Sequence, residues 1–350
     1  MESLPIPTQP ANGHKNYPRK TTYNIGTRKS ALALAQTHHI LRELQRTYPT
    51  NQFSITAMST TGDKVLEVAL FKIGEKSLFT KELEVALLRG KIDFIVHSLK
   101  DLPTTLPEGL EVGAITEREN PRDAVVFREK WRGYRLEKLP EGSVVGTSSV
   151  RRIAQLRHLF PHLIFKDIRG NVNTRLSKLD APDGPYDAII LAVAGLNRLH
   201  LSDRISYVLE EMLPAVGQGA LGIECRAADE ATKLLLQSLD HPETRLACIA
   251  ERALMRYLEG GCSVPIGVDS KVEEGQRLIL KGLVASLDGK RVVRAEAACD
   301  LSSDGGVLAS TGKARERNDK EAETLGIEVA KSLKENGAEE ILNELTSTKT

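Results

Sequence analysis

The feature that most constrains the fold is an alternation of short apolar runs with helical patterns through the first two-thirds of the 350-residue chain. Runs with the length and composition of strands lie at 23–26, 53–58, 94–96, 144–146, 163–168 and 188–193. Helical patterns lie between them, at 30–46, 80–89, 149–159 and 171–179. Because strands that alternate with helices pair mainly in parallel, this order predicts α/β layers with mostly parallel sheets.

The pattern changes near residue 240. A helical pattern at 243–258 ends at Gly260-Gly261, and two strand-like runs at 277–287 and 291–298 flank Asp288-Gly289. Asp-Gly between two such runs favours a tight hairpin turn. A last amphipathic helix is predicted at about 318–335. The tail is therefore expected to form a separate α+β domain.

Composition argues against several classes of protein. The net charge is +1, which does not favour a nucleic-acid-binding protein. The cysteines at 225, 248, 262 and 299 show no CxxC spacing, so we expect no metal site, no disulfide scaffold and a cytoplasmic location. No apolar run approaches the roughly 20 residues that cross a bilayer. The polar, proline-containing residues 1–20 are predicted to be a disordered leader.

An anion site is predicted within residues 146–175. Six basic side chains stand there against one acid, Asp167. Thr147-Ser148-Ser149 begins a predicted helix directly after a strand. Asp167-Ile168-Arg169-Gly170 begins a second helix after the next strand. Helix N-termini at strand ends favour the binding of anions. Arg151 and Arg152 lie in a first helical turn, where the helix dipole disfavours cations unless an anion is near. A solvated basic face is the alternative.

Two further strand ends carry polar side chains. Arg28 and Ser30 follow the first strand, with Gln36 on the next helical turns, and Ser98, Lys100 and Asp101 follow the strand at 94–96. A carboxylate beside cations stays ionised and can stabilise a developing positive charge. The alternative is that Asp101 caps a turn or pairs with Lys100.

Cys262 is the cysteine with the most unusual setting. It follows Gly260-Gly261, whose backbone allows close approach of a ligand. A thiolate is the nucleophile of cysteine chemistry, whereas an isolated cysteine is usually a small buried apolar residue. The spacing alone leaves both interpretations open.

Ordered motifs over about residues 22–340 resemble the porphobilinogen deaminase family. They are IGTRKS at 25–30, FTKELE at 79–84, HSLKDLP at 97–103, GTSSVRR at 146–152, RGNVNTR at 169–175, LPAVGQG at 213–219 and GCSVPIG at 261–267. The segment GEKS at 74–77 resembles the eukaryotic variant of the family.

The resemblance implies a fold of two α/β domains, like those of periplasmic binding proteins, around a cleft, with a smaller C-terminal α+β domain. The implied division is 21–117 plus 217–240 for domain 1, 118–216 for domain 2 and 241–350 for the C-terminal domain. It further implies a dipyrromethane cofactor joined to Cys262 by a thioether. The implied enzyme is a monomeric transferase of porphyrin and heme biosynthesis.

The implied reaction is a stepwise head-to-tail condensation of four porphobilinogen units, with release of ammonia, to give the linear tetrapyrrole hydroxymethylbilane. Loss of ammonia leaves an electron-poor species, so the resemblance gives Asp101 a catalytic role, together with Lys100, Arg28 and Gln36. The residues implied to hold the cofactor are Cys262, Ser98, Lys100, Asp101, Thr147, Ser148, Ser149, Arg151, Arg152, Arg169 and Gly170. Those implied to bind the carboxylates of porphobilinogen and of the growing chain are Arg28, Ser30, Lys72, Lys76, Arg175, Arg198 and Gln218.

Two rival functions remain. A two-lobed organic-anion-binding protein without catalysis would share the fold, but such proteins are usually exported and need no cysteine-bearing third domain. A nucleic-acid-binding protein would need a basic surface and aromatic stacking platforms, and the chain has only 4% aromatic residues.

Overall fold

The computed structural model describes residues 20–60, 80–258, 264–304, 307–308 and 312–347. Its strands are β1 (Thr22–Arg28), β2 (Gln52–Met58), β3 (Phe94–Ser98), β4 (Leu110–Ile115), β5 (Asp123–Phe127), β6 (Val144–Gly146), β7 (Ile164–Lys166), β8 (Ala188–Ala192), β9 (Tyr207–Leu209), β10 (Leu221–Arg226), β11 (Ile266–Glu273), β12 (Arg277–Ala285), β13 (Val292–Asp300), β14 (Ser303–Asp304) and β15 (Val307–Leu308). Its α-helices are α1 (Ala31–Thr47), α2 (Lys81–Leu88), α3 (Val150–Leu159), α4 (Val172–Asp180), α5 (Val193–Arg198), α6 (Glu230–Leu236), α7 (Pro242–Tyr257), α8 (Gly312–Leu333) and α9 (Glu339–Ser347).

The first sheet has the strand order β2-β1-β3-β10-β4. β1 is parallel to β2 and β3, whereas β10 is antiparallel to both of its neighbours, β3 and β4. The sheet is covered on both faces, so its central strands are almost continuously apolar. β3, for example, runs Phe94-Ile95-Val96 with each of these side chains buried.

The second sheet has the order β7-β6-β8-β5-β9 and repeats this plan. β6 is parallel to β7 and β8, and β5 is antiparallel to β8 and β9. Apolar clusters again cover both faces. In each sheet the carboxyl ends of the parallel strands therefore meet at one edge, where ligands bind in α/β folds.

The C-terminal part has an antiparallel sheet, β11-β12-β13, packed against α7 and α8. The predicted Asp288-Gly289 turn joins β12 and β13, with Gly289 at φ +75°. Helix α7 begins with His241, whose ring accepts from the amide of Thr244, and with Pro242 in the first turn, where a missing N–H costs nothing.

Two chain segments, 116–122 and 210–220, connect the first sheet to the second. The first segment is hydrogen-bonded to the second from Glu119 N to Gly219 O at 3.2 Å, and to the start of β10 from Thr116 N to Leu221 O at 3.1 Å. Gly219 has φ +91°, and a Cβ there would lie 2.2 Å from the carbonyl oxygen of Glu119. Only glycine fits so close a crossing.

The α/β architecture with a C-terminal α+β part is confirmed, and one expectation about the sheets is wrong. Both α/β sheets are mixed, with as many antiparallel as parallel pairings, because β5 and β10 enter their sheets from the crossing segments. The predicted strand at 163–168 shortens to Ile164–Lys166. Among the described residues, no helix combines the length and apolarity needed to cross a membrane.

Candidate active site

The first half of the site lies at one edge of the first sheet. Strands β1 and β3 run parallel, with Gly26 beside Ile95, so Arg28 and Ser98 leave the sheet at the same end. The buried Gln36 of α1 donates from Nε2 to Ser98 Oγ at 2.8 Å. Ser30 caps α1 by accepting from the amide of Ala33, so its predicted ligand-binding hydroxyl already serves the helix.

A short 3₁₀ turn, Leu99–Asp101, follows β3 and carries the predicted catalytic pair. Leu99 N donates to Ala220 O at 3.0 Å, which ties the turn to the start of β10. Asp101 is exposed, and with the described residues its carboxylate forms no hydrogen bond or ion pair. The alternative interpretation of Asp101 as the ion-pair partner of Lys100 therefore finds no contact in the described part of the chain.

Lys100 is partly buried and donates from Nζ to Gln218 Oε1 at 3.1 Å. Burial lowers the pKa of Lys100 to about 8, and the charge of Asp101 opposes this shift. The charges of Arg152 and Arg151 contribute to this lowering of the pKa, which places the lysine within electrostatic range of the second sheet's cations.

The second half of the site lies at the corresponding edge of the second sheet. Thr147 follows β6 and is buried, and its amide donates to Lys166 O at 2.9 Å. Ser148 Oγ donates to Ile168 O at 2.5 Å and accepts from Ile168 N at 3.2 Å, so it joins the ends of β6 and β7. Ser149 is the N-cap of α3.

Arg151 and Arg152 are the residues for which the structure adds most to the prediction. Both are buried, and both donate to Asp123, Arg151 to Oδ2 at 2.8 Å and Arg152 to Oδ1 at 2.6 Å. Their other terminal nitrogens donate to backbone oxygens of Leu213 and Ile190. The cations are thus held by a carboxylate of the protein itself, which sequence reasoning missed.

Asp123 lies at the start of β5 and is 1% exposed. Burial alone would raise its pKa, but the charges and hydrogen bonds of Arg151 and Arg152 outweigh that effect and hold the pKa well below its usual range. The available sequence signal was an acid directly before the apolar run 124–127, but such an acid is also common at strand ends.

Gln218 connects the two halves. It is 1% exposed, accepts from Lys100, and donates from Nε2 to Asp123 Oδ1 at 2.9 Å and to Pro121 O at 2.6 Å. A continuous chain of hydrogen bonds therefore runs from Lys100 through Gln218 and Asp123 to Arg152. We expected Gln218 to bind substrate, and the structure places it as a bridge between the sheets.

The loop before α4 and the first turn of that helix supply one more cation each. Arg169 donates from Nε to Asp167 Oδ2 at 2.7 Å, and Arg175 donates from Nε to Gly170 O at 2.8 Å. Gly170 has φ +107°, which favours glycine. Burial, with the charge of Arg152, lowers the pKa of Arg175 to about 10, and Asp101 is among the acids that oppose this shift. Arg175 and Asp101 therefore interact across the site.

Arg198 lies apart from this group, at the crossing segments. Its guanidinium donates to Gly219 O at 2.6 Å, and burial lowers its pKa while the charge of Glu119 opposes the shift. Cys262, Lys72 and Lys76 lie outside the described residues. Burial raises the pKa of the thiols of Cys225 and Cys248 to about 12 and of Cys299 to about 11, so these three are protonated at neutral pH.

Comparisons with known proteins agree along nearly the whole chain. The family model described as "Porphobilinogen deaminase, dipyromethane cofactor binding domain" matches residues 23–234, and "Porphobilinogen deaminase, C-terminal domain" matches residues 245–335. The porphobilinogen deaminase of Synechococcus elongatus is 55% identical over 326 residues, which cover 93% of this chain and 95% of the relative. That of a Nostoc species is 53% identical over 326 residues, which cover 93% and 94%.

These relatives are cyanobacterial, so the comparisons give no support to the eukaryotic variant expected from residues 74–77. Among solved structures, the methionine binding protein MetQ aligns with a TM-score of 0.40 at 13% identity, over 63% of this chain and 90% of that one. On the two family models and on relatives above 50% identity over more than nine-tenths of its length, this chain belongs to the porphobilinogen deaminase family.

Proposed function

We propose that this protein condenses four porphobilinogen units head to tail, with loss of ammonia, on a dipyrromethane joined to Cys262, and that it releases hydroxymethylbilane. The observation that carries the proposal is the exposed, unpaired carboxylate of Asp101 opposite the cations of the second sheet. Within the described residues this carboxylate forms no hydrogen bond or ion pair with a guanidinium, whereas Asp123 is enclosed by Arg151 and Arg152.

The donor set around this edge fits the proposed cofactor. A dipyrromethane carries acetate and propionate groups, and arginine binds carboxylates with paired, charge-assisted hydrogen bonds. The Nε atoms of Arg151 and Arg152 are buried and have no hydrogen-bond partner among the described residues, so each guanidinium keeps one unused donor. Arg169, Gly170, Thr147, Ser148, Ser149 and Ser98 are the other residues that we propose hold the cofactor.

When bound, the dipyrromethane supplies the pyrrole position to which the first substrate unit is joined. Asp101 would stabilise the positive charge that develops on porphobilinogen as ammonia leaves, because a fixed carboxylate near that charge needs no reorganisation. Lys100 and Arg28 would bind carboxylates beside it, and Gln36 would orient Ser98 through its 2.8 Å hydrogen bond.

The remaining predicted residues have supporting or untested roles. We propose that Arg175 binds substrate carboxylates, since Asp101 already interacts with it. Gln218 and Arg198 would act at the crossing segments, where the two sheets meet. Lys72 and Lys76 remain proposals from the family resemblance alone, and Ser30 would act mainly as a helix cap.

The division into domains 21–117 plus 217–240, 118–216 and 241–350 is also a proposal. It is supported by the membership of the sheets, because β10 completes the first sheet after the chain has formed the second. We further propose that the protein works as a monomer in the cytoplasm, on the family resemblance and the cysteine pattern.

Intact-mass spectrometry of the natively purified protein tests this function. We expect a mass above that of the polypeptide by two pyrrole units, lost in Cys262→Ala and kept in the matched control Cys299→Ala. With limiting porphobilinogen, further species should rise by one pyrrole unit each. A bare polypeptide mass would support a non-catalytic binding protein instead, and an adduct that persists in Cys262→Ala would refute the attachment site.

A further inference from the structure

Helix α7 of the C-terminal part lies directly behind the turn that carries Lys100 and Asp101. Its buried Cys248 packs in one apolar cluster with Leu99 and Leu102, the residues that enclose the pair in sequence. Arg252 lies one helical turn further along, on the same face of the helix. The back of the turn is thus covered by a helix from another part of the chain.

Arg252 binds the backbone immediately after Asp101. Its guanidinium donates to Leu102 O at 3.1 Å and to Pro103 O at 2.5 Å, and the residue is only 8% exposed. Burial lowers the pKa of Arg252 to about 10, so it keeps its charge at neutral pH. A planar fork that spans two successive carbonyls fixes both the position and the direction of the backbone.

The backbone immediately before the turn is held by a second buried contact. Nε2 of His97 lies 2.9 Å from Oε2 of Glu224 on the neighbouring strand β10, and the two residues are 5% and 0% exposed. His97 directly precedes Ser98, whose side chain lies on the other face of the sheet with Gln36. The charge of Glu224 also acts on Arg252.

We propose that Arg252, together with the Glu224–His97 pair, positions Asp101 for the reaction by holding its turn at both ends. The proposal rests on the catalytic role of Asp101 proposed above. Arg252 touches only backbone oxygens of the turn, so it is a positioning residue that acts through Asp101. Cys262 follows Arg252 by ten residues in the sequence, so the helix that supports the catalytic turn also leads into the segment of the proposed attachment site.

The test compares Arg252→Gln and Arg252→Lys with the control Arg256→Gln. Arg256 lies on the same helix, but its side chain is 44% exposed and donates to Thr104 O at 3.3 Å and to Glu323. We expect Arg252→Gln to keep the holoprotein mass and the KM for porphobilinogen. It should lower kcat by about tenfold to a hundredfold, since a misplacement of about 1 Å can cost about a hundredfold in rate. The kcat of Arg252→Lys should lie between those of Arg252→Gln and the unmodified protein. The kcat of Arg256→Gln should equal that of the unmodified protein.

A double-mutant cycle with Asp101→Asn decides whether Arg252 acts through Asp101. If it does, Arg252→Gln lowers kcat in the unmodified protein and has no further effect in the Asp101→Asn background. Equal effects in both backgrounds, or a normal kcat in Arg252→Gln beside a defective Asp101→Asn, overturn the positioning role alone. Near-normal turnover of Asp101→Asn by itself would defeat the proposed role of Asp101 and this inference with it.

The near-isosteric Glu224→Gln keeps the test decisive if Arg252→Gln fails to fold. We expect Glu224→Gln to lower kcat about threefold to tenfold with KM unchanged, because the other end of the turn is loosened. In a double-mutant cycle with Asp101→Asn, this effect should also disappear. Unchanged kcat in both Glu224→Gln and Arg252→Lys would overturn the inference.

Discussion

Asp123 accepts a 2.6 Å hydrogen bond from Arg152 in a place where both side chains are almost fully buried. Arg151 binds the second oxygen of the same carboxylate at 2.8 Å. A buried carboxylate thus compensates two adjacent cations before any ligand binds. One positive charge remains in excess among these three side chains, and the buried Nε atoms of both arginines have no hydrogen-bond partner among the described residues.

We predict that Asp123→Asn destabilises the fold by about 3–5 kcal/mol, since removing one partner leaves buried charge uncompensated. The stabilisation by Asp123 is present above its unfolded pKa of about 3.9 and is lost as the pH falls toward its depressed folded pKa. Urea unfolding between pH 3 and 7 measures both effects. The surface variant Asp167→Asn should change stability by less than about 1 kcal/mol, and an equally small change in Asp123→Asn would contradict the prediction.

Replacing either arginine with lysine should lower the yield of cofactor-loaded protein. In each of Arg151 and Arg152, one terminal nitrogen binds Asp123 and the other binds a backbone carbonyl, and a lysine ammonium cannot reproduce this fork. The holoprotein fraction can be read from intact mass, beside the exposed control Arg42→Lys. Full loading and full activity in both variants would show that charge alone suffices.

Lys100 should make kcat/KM for porphobilinogen fall at alkaline pH. Its pKa of about 8 means that it loses its charge as the pH rises from 7 to 9, so KM for porphobilinogen should increase over that range. Lys100→Arg keeps its charge and should reduce this fall, so the difference between the two profiles of kcat/KM isolates Lys100. Identical profiles would exclude the lysine as their source.

The lowered pKa of Lys100 should also make the free energy of unfolding depend on pH. The unfolded lysine, with its usual pKa of 10.5, binds more protons than the folded one between about pH 8 and 10.5. The contribution of Lys100 to the free energy of unfolding therefore rises with pH across that window, and Lys100→Gln should remove that slope. Denaturant titrations at pH 7.5 and 10 measure it.

Asp101→Asn should lower kcat by about 10²–10³, the usual cost of losing a charge-stabilising group. Because the carboxylate is exposed and forms no hydrogen bond or ion pair among the described residues, its loss should change the thermal midpoint only slightly. Asp203→Asn, another exposed acid in a 3₁₀ turn, is the matched control for both measurements. Near-normal turnover would mean that Asp101 is only a turn residue.

The sequence predicted where functional groups leave the sheets, because strand ends and helix caps are local features. Ser149 and Asn171 are N-caps, and Arg151, Arg152 and Lys100 follow strand ends as expected, whereas β3 extends two residues beyond the predicted strand and ends at Ser98 itself. The partners of these groups were not predictable in the same way. Asp123 meets Arg151 only through the pairing of β5 with β8, a contact between residues far apart in the chain.

Tertiary contacts also give residues of the predicted set partners within the protein. The sequence predicted Gln218 and Arg198 as ligand-binding residues. In the structure, their described contacts join the crossing segments to the two sheets. The strand Leu221–Arg226 went unpredicted because its buried Glu224 interrupts the apolar run, and a contact with His97 on the neighbouring strand holds that carboxylate. Local pattern carries no information on such a pairing.

The insertion of β10 between β3 and β4 has a consequence for how the protein is made. Strand β4 pairs only with β10 in the first sheet, yet β10 is synthesised about a hundred residues later, after the whole second sheet. A nascent chain that has not reached residue 221 presents Phe94–Ser98 as an open apolar edge and Leu110–Ile115 as an orphan strand, and open edges of this kind promote aggregation. The turn that follows Phe94–Ser98 can therefore reach its final form only after the polypeptide has returned from the second sheet, so the first sheet cannot be completed before the second has been synthesised.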